Sequence, residues 1–141
     1  MSGFVSKDQR PEPELSQRVK VHRNLNAKGA PVYSIVALSG EHKNKVVGYA
    51  PSVELADVEL KVSAASHRRV IREGVRNVHS WAVGNYMGSF VEPPSDFVDA
   101  TEVVYQPFVR PWFCQVSTPA EKIWRLDRAC TFGAVLLALG A

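Results

Sequence analysis

"DVELKVSAASHRRVIREGVRNVHSWAVG", residues 57–84, changes its period twice. At first it alternates. Val58, Leu60 and Val62 fall on one face of an extended strand, with Glu59 and Lys61 on the other. Ser63 then stands where a helix N-cap is wanted, and Gly74 suits a left-handed stop about ten residues later. Between them only Ala64, Val70 and Ile71 offer apolar surface, so the helix should lie on a sheet as a surface element. "NVHSWAV" resumes strand character at once. Strand, short surface helix and strand in so short a span predict an α+β domain. A small antiparallel β-sheet, with one or two short helices, should carry it.

Toward the N-terminus the same pattern continues. "RVKVHRNLN" alternates up to Leu25 and meets the turn cluster "NAKGAP". "VYSIVAL" and "VVGYA" follow as short strands separated by "SGEHKNK", which reads as an antiparallel meander. Residues 1–18 hold two prolines and mixed charge without the apolar stretch of a secretory signal. They are expected to be a flexible arm, leaving 19–141 as a single domain.

Toward the C-terminus, Pro93 and Pro94 mark a loop, and Pro107 and Pro111 confine "TEVVYQPFVRPWFCQV" to an edge or an irregular crossing. The segment from Ser117 onward admits two readings. It is a helix capped at Ser117 or Thr118 with Pro119 in its first turn, or a final hairpin. Its apolar end, "FGAVLLALGA", is far shorter than the roughly 20 residues a membrane helix needs. A soluble, cytoplasmic protein without membrane association is expected.

Several chemistries lack their residues. Cys114 and Cys130 stand far apart, outside metal-ligand spacing and without a disulfide framework, as suits a reducing cytosol. His22, His42, His67 and His79 form no zinc pattern. No nucleophile elbow and no glycine-rich phosphate loop occur, and no cofactor is expected. A nuclease or hydrolase using His22, His67 or His79 is chemically possible, but no spacing singles out a pair. Trp81 and Trp124 read as core residues.

A net charge of +3 is too small for wholesale coating of DNA, yet the positive charge is concentrated. Arg68, Arg69, Arg72 and Arg76 fall in one short stretch with His67 and His79. Arginine donates to phosphate in a planar fork and stacks on rings. Polar and aromatic readers stand elsewhere: Asn24 after Arg23, Asn77 and His79, then Tyr105, Phe108, Arg110 and Trp112. Such a mixture suits phosphates plus a base. The alternative is a solvated basic helix face paired with Glu73. A protein or nucleic-acid partner using the Arg68–Arg76 patch is a further possibility.

In order, "HRNLN", "VYSIVA", "KVVGYA", "DVELKVS", "RRVIREGVRNVHSWAVG" and "VVYQPFVRPWF" resemble a family of small phage and prophage proteins, over nearly everything from Val19 to Phe113. The architecture is similar to that of the phage anti-Thoeris sponges of the first type. That resemblance implies a dimer or hexamer that sequesters a cyclic ADP-ribose isomer, and in some members cyclic oligonucleotides, without cleaving it. The function implied is anti-defence, not enzymatic. By chemistry and by position in these motifs, Arg23, Arg69, Arg76 and Arg110 are the expected phosphate or ribose contacts. Asn24, Asn77 and His79 are the expected polar readers and Phe108 the stacking surface. The apolar C-terminal run and the edge near Pro107–Pro111 are the expected self-association surface.

Overall fold

The alternation at the start of the chain becomes a meander of three strands, β1 (Arg18–Arg23), β2 (Tyr33–Ala37) and β3 (Val46–Ala50). Val19 and Val21 are buried, and Val21 pairs across to Ile35 while Arg23 pairs with Tyr33. The β2–β3 turn uses Gly40 at φ 80° and Asn44 at φ 67°, the residue types that adopt left-handed backbone at least cost. The structure is a computed structural model that describes residues 13–25, 29, 31–74 and 77–139. Most of the segment expected as an arm, residues 1–12, and Arg76 lie outside that description. Ser16 and Gln17, within the described part, exchange backbone hydrogen bonds with Tyr86.

The period change at residues 57–84 is realised as a long ribbon. β4 (Ser52–Val62) and β5 (Ser80–Phe90) pair antiparallel, and α1 (Ala64–Glu73) links them. Ser63 accepts from the Ser66 amide at 3.4 Å, and Gly74 closes the helix at φ 66° with its amide on the Val70 carbonyl. Only Val70 is buried, so α1 is a surface element as its composition required. Val58 and Leu60 are buried, while Glu59 and Lys61 pair with each other at 3.1 Å on the outer face. β4 starts five residues before the alternation, however. Ser52, Val53, Glu54 and Leu55 are all buried, because this half of the strand is covered on both faces and loses the alternating signature. Opposite it, a Cβ on Gly84 would lie 2.9 Å from Leu55 Cβ. The two strands approach there as only glycine permits.

The rest of the sheet comes from β6 (Thr101–Val103), β9 (Arg125–Phe132) and β10 (Val135–Leu139), while β7 (Phe113–Gln115) and β8 (Thr118–Ile123) form a small separate ribbon. A three-residue 3-10 turn at Ser95–Phe97 fills the loop before β6. The α+β expectation is therefore corrected. The domain is mostly antiparallel β, with one short α-helix among the described residues. The tail is a hairpin rather than a helix, because Gly133 at φ 60° turns the chain so that Phe132 faces Val135. Both edges of β10 are used, by β9 and β6, so its backbone is closed to a second chain. Trp81 is half-buried, with the Lys20 ammonium 4.3 Å from its ring centroid. Trp124, expected in the core, is 41 % exposed, because it lies between β8 and β9 where the chain leaves the ladder.

The sheet order is β3-β2-β1-β5-β4-β9-β10-β6. Pro51 alone separates β3 from β4, which stand four strand spacings apart in that order. In a flat sheet those spacings amount to ~19 Å, while two chain steps cover at most ~7.6 Å. The sheet must roll, bringing β2 and β3 over β4 and β9. The Tyr33 hydroxyl completes the roll by donating to the Gly133 carbonyl at 2.7 Å, across four strand spacings. The rolled interior holds the core, from Val19 and Ile35 through Leu55 and Leu60 to Leu136 and Ala138. At one end it stays open.

Candidate functional site

At that end a cavity of about 250 Å³ lies between the sheet and the loop from Val104 to Trp112. Its floor is core. Val21, Leu60, Ala82, Val103 and Leu136 are apolar residues that continue the packed interior to the opening. Its wall is aromatic, with Tyr33 from β2 and Tyr105 stacked on Phe113 at 5.0 Å. Arg23, the last residue of β1, brings a guanidinium to the mouth, and Asn77 stands beside β5.

Two histidines hold the loop in place. His67, on α1, is 2.9 Å through Nε2 from the Pro107 carbonyl, which can only accept. The buried His79 is 2.9 Å through Nδ1 from the Asn77 carbonyl and 2.7 Å through Nε2 from the Tyr105 hydroxyl. The two imidazole rings lie 5.6 Å apart. Together they fasten Tyr105 and Pro107 over the cavity, where proline rings already stiffen the backbone. Burial pushes the Tyr105 hydroxyl up to about 12. It also raises Tyr33, against the opposing influence of the nearby Arg23 charge. Both phenols stay protonated and able to donate.

The residues expected from sequence divide into two groups. Arg23, Asn77 and His79 meet at the cavity. Arg69, Asn24, Phe108 and Arg110 are not among its lining, and Arg76 lies outside the described residues. The Asn24 amide bonds the Val32 carbonyl in the strand ladder. Phe108 is 71 % exposed at the loop tip, and Arg110 points a nitrogen at Cys114 Sγ, 3.8 Å away. On α1, Arg69 and Arg72 both reach Glu73, at 3.2 and 3.1 Å, and their hydrogen bonds, that of Arg72 first, lower the Glu73 carboxyl. That half of the basic stretch is a solvated, internally paired helix face. Cys114 and Cys130 are free and buried.

Sequence reasoning named Tyr105 among the aromatic readers but not among the expected ligand contacts, and it did not single out Tyr33 and Phe113. Tyr105 and Phe113 sit in the proline-bearing aromatic stretch, which was a usable signal. Tyr33 carries none, because its role depends on a partner a hundred residues away. Among the described residues, no helix is long and apolar enough to cross a membrane, and no cluster of His, Cys, Asp and Glu is placed to hold a metal ion.

No solved structure matches the chain. Among curated proteins, the gene 82 protein of Mycobacterium phage L5 is 33 % identical over 106 residues, 73 % of this chain and 81 % of that protein. The family model described as the Mycobacterium phage L5 gene 82 protein matches residues 12–126, a span containing Arg23, Asn77, His79 and Tyr105. With most of both chains covered, this protein belongs to the Mycobacterium phage L5 gene 82 family of small phage proteins.

Proposed function

We propose that this protein is an anti-defence sponge. It binds a cyclic nucleotide immune signal, a cyclic ADP-ribose isomer or a cyclic oligonucleotide, in the cavity and keeps it intact. One observation carries the reading. An aromatic-walled apolar cavity has a guanidinium, Arg23, at its mouth, the pairing that a base with an attached phosphate requires. The volume of about 250 Å³ falls just below the ~300–1,000 Å³ of ordinary small-molecule sites. It suits one ring system, with the phosphates left at Arg23. The remainder of the ligand then needs a second cover. A second copy of the chain in a dimer or hexamer supplies it, and the host cytoplasm is where such a signal would be met.

Binding without cleavage is the better reading of the histidines. His67 and His79 spend ring nitrogens on the Val104–Trp112 loop, an orienting role, and a hydrolase would need one of them turned to the ligand. Nucleic-acid binding is favoured by a different observation, the exposure of Arg68, Arg69 and Arg72 along α1. It would show an affinity falling steeply with salt, as each phosphate contact releases counterions.

Calorimetric titration with cyclic ADP-ribose isomers and cyclic di- and trinucleotides tests the proposal, each mixture then being heat-denatured and its supernatant chromatographed. Binding with release of unchanged ligand is expected. An altered ligand would make the protein an enzyme. Absence of binding to every one of them, with steeply salt-dependent binding to oligonucleotides, would move the function to α1.

A further inference from the structure

Two phenols around the cavity share one property: each gives its proton to the protein. The Tyr33 hydroxyl donates to the Gly133 carbonyl at 2.7 Å. Tyr105 is set by a two-step chain. The Asn77 carbonyl can only accept, so the neutral His79 ring carries its proton on Nδ1. Nε2 is then a lone pair, and the Tyr105 hydroxyl 2.7 Å away is its donor. Both phenols line the cavity. Burial keeps both phenols protonated well into alkali, so neither loses the proton it donates. The Thr131 hydroxyl accepts from the Val53 amide at 2.9 Å and keeps its own proton to give, while the Ser80 hydroxyl imposes no direction.

We propose that the Tyr105 oxygen, its proton spent on His79, selects the ligand group set against it for an N–H donor. Resting on the nucleotide reading above, it takes the exocyclic amine of an adenine-type base in preference to the exocyclic carbonyl of hypoxanthine. A ligand carbonyl set against the Tyr105 oxygen would leave two acceptors facing each other in an apolar wall with no proton between them. An exocyclic amine in the same place donates to that oxygen. The mismatch should weaken binding by about tenfold or more.

Two pairs of probes test this. Adenosine and inosine monophosphate are titrated into the full chain at about pH 8. The adenosine nucleotide is expected to bind about tenfold or more tighter. Tyr105→Phe, which keeps the ring against Phe113, should bring the ratio toward one, and Tyr33→Phe is the second variant. Equal affinities, or tighter inosine nucleotide, overturn the proposal. Indole and benzofuran then test the cavity without phosphate, since they share a shape and differ in a ring N–H. Amide chemical shifts are expected to show tighter indole, and equal or tighter benzofuran overturns donor selection. Indole preference with neither nucleotide bound would support donor selection while sinking the nucleotide reading.

Discussion

The basic helix α1 and the cavity beneath the Val104–Trp112 loop differ in almost every physical respect. α1 carries Arg68, Arg69 and Arg72 in two turns, buries only Val70, and pairs two of its guanidinia with the single Glu73 carboxylate. Exposed pairs of that kind contribute ~0–1 kcal/mol. The cavity draws a few residues each from strands spread through the sheet, among them β1, β2, β4, β5, β9 and β10, with little charge and extensive burial. There the same hydrogen-bonding groups act in a lower dielectric and are held in fixed directions. Dense charge in this sequence marks where the chain meets water. The candidate site is where sparse polar groups converge on an apolar floor.

The largest effect that separates the two regions is on stability. Leu60, at the cavity floor, is 2 % exposed, and Leu60→Ala should cost about 2–5 kcal/mol in urea unfolding. Ile71→Ala on α1, at a residue 43 % exposed, should change stability by about 0.5 kcal/mol or less. Comparable losses at both positions would break the distinction. Gly84→Ala drives a methyl against Leu55 and should cost about 1–3 kcal/mol, with a lowered unfolding midpoint as its readout.

Ligand binding sharpens the comparison further. Arg23→Ala should weaken binding of whichever nucleotide the calorimetry identifies by about tenfold, whereas Arg69→Ala should change it by less than about twofold. The reverse result would return the site to α1. The smallest effect lies in alkali. Tyr105 titrates at about 12 in the folded chain against 10.0 for a free tyrosine, so above about pH 10 the unfolded chain loses a proton that the folded chain keeps. The folded state then binds more protons, and stability falls as pH rises from about 10 to about 12. Tyr105→Phe should flatten that fall in an alkaline unfolding series, and an unchanged slope would mean that the hydroxyl is not buried as described.

Much of the secondary structure was legible from neighbouring residues. The alternation of Val58, Leu60 and Val62, the Ser63 cap and the Gly74 stop each act over a few bonds, and the structure keeps all of them. The first half of β4 was not legible, since burial on both faces erases alternation. Neither was the choice between helix and hairpin after Ser117, which depended on pairing with β4 and β6. The exposure of Trp124 depended likewise on where the chain leaves its ladder. In the site, Arg23, Asn77 and His79 were recognisable as residue types, while their distance from Arg69 and Phe108 was not.

The sequence by itself determined the local grammar: the meander, the surface helix, the stiff proline-bearing loop and a supply of arginine and aromatic side chains. These follow from backbone preference and from the period of apolar residues, which are properties of short segments. Only the tertiary structure decided which of those side chains share a space. Rolling the sheet brings Tyr33 to Gly133 and fastens Tyr105 to His79, contacts between residues far apart in the chain. No local preference encodes them, because they arise from closing strands β2 and β3 over β4 and β9 around a common core.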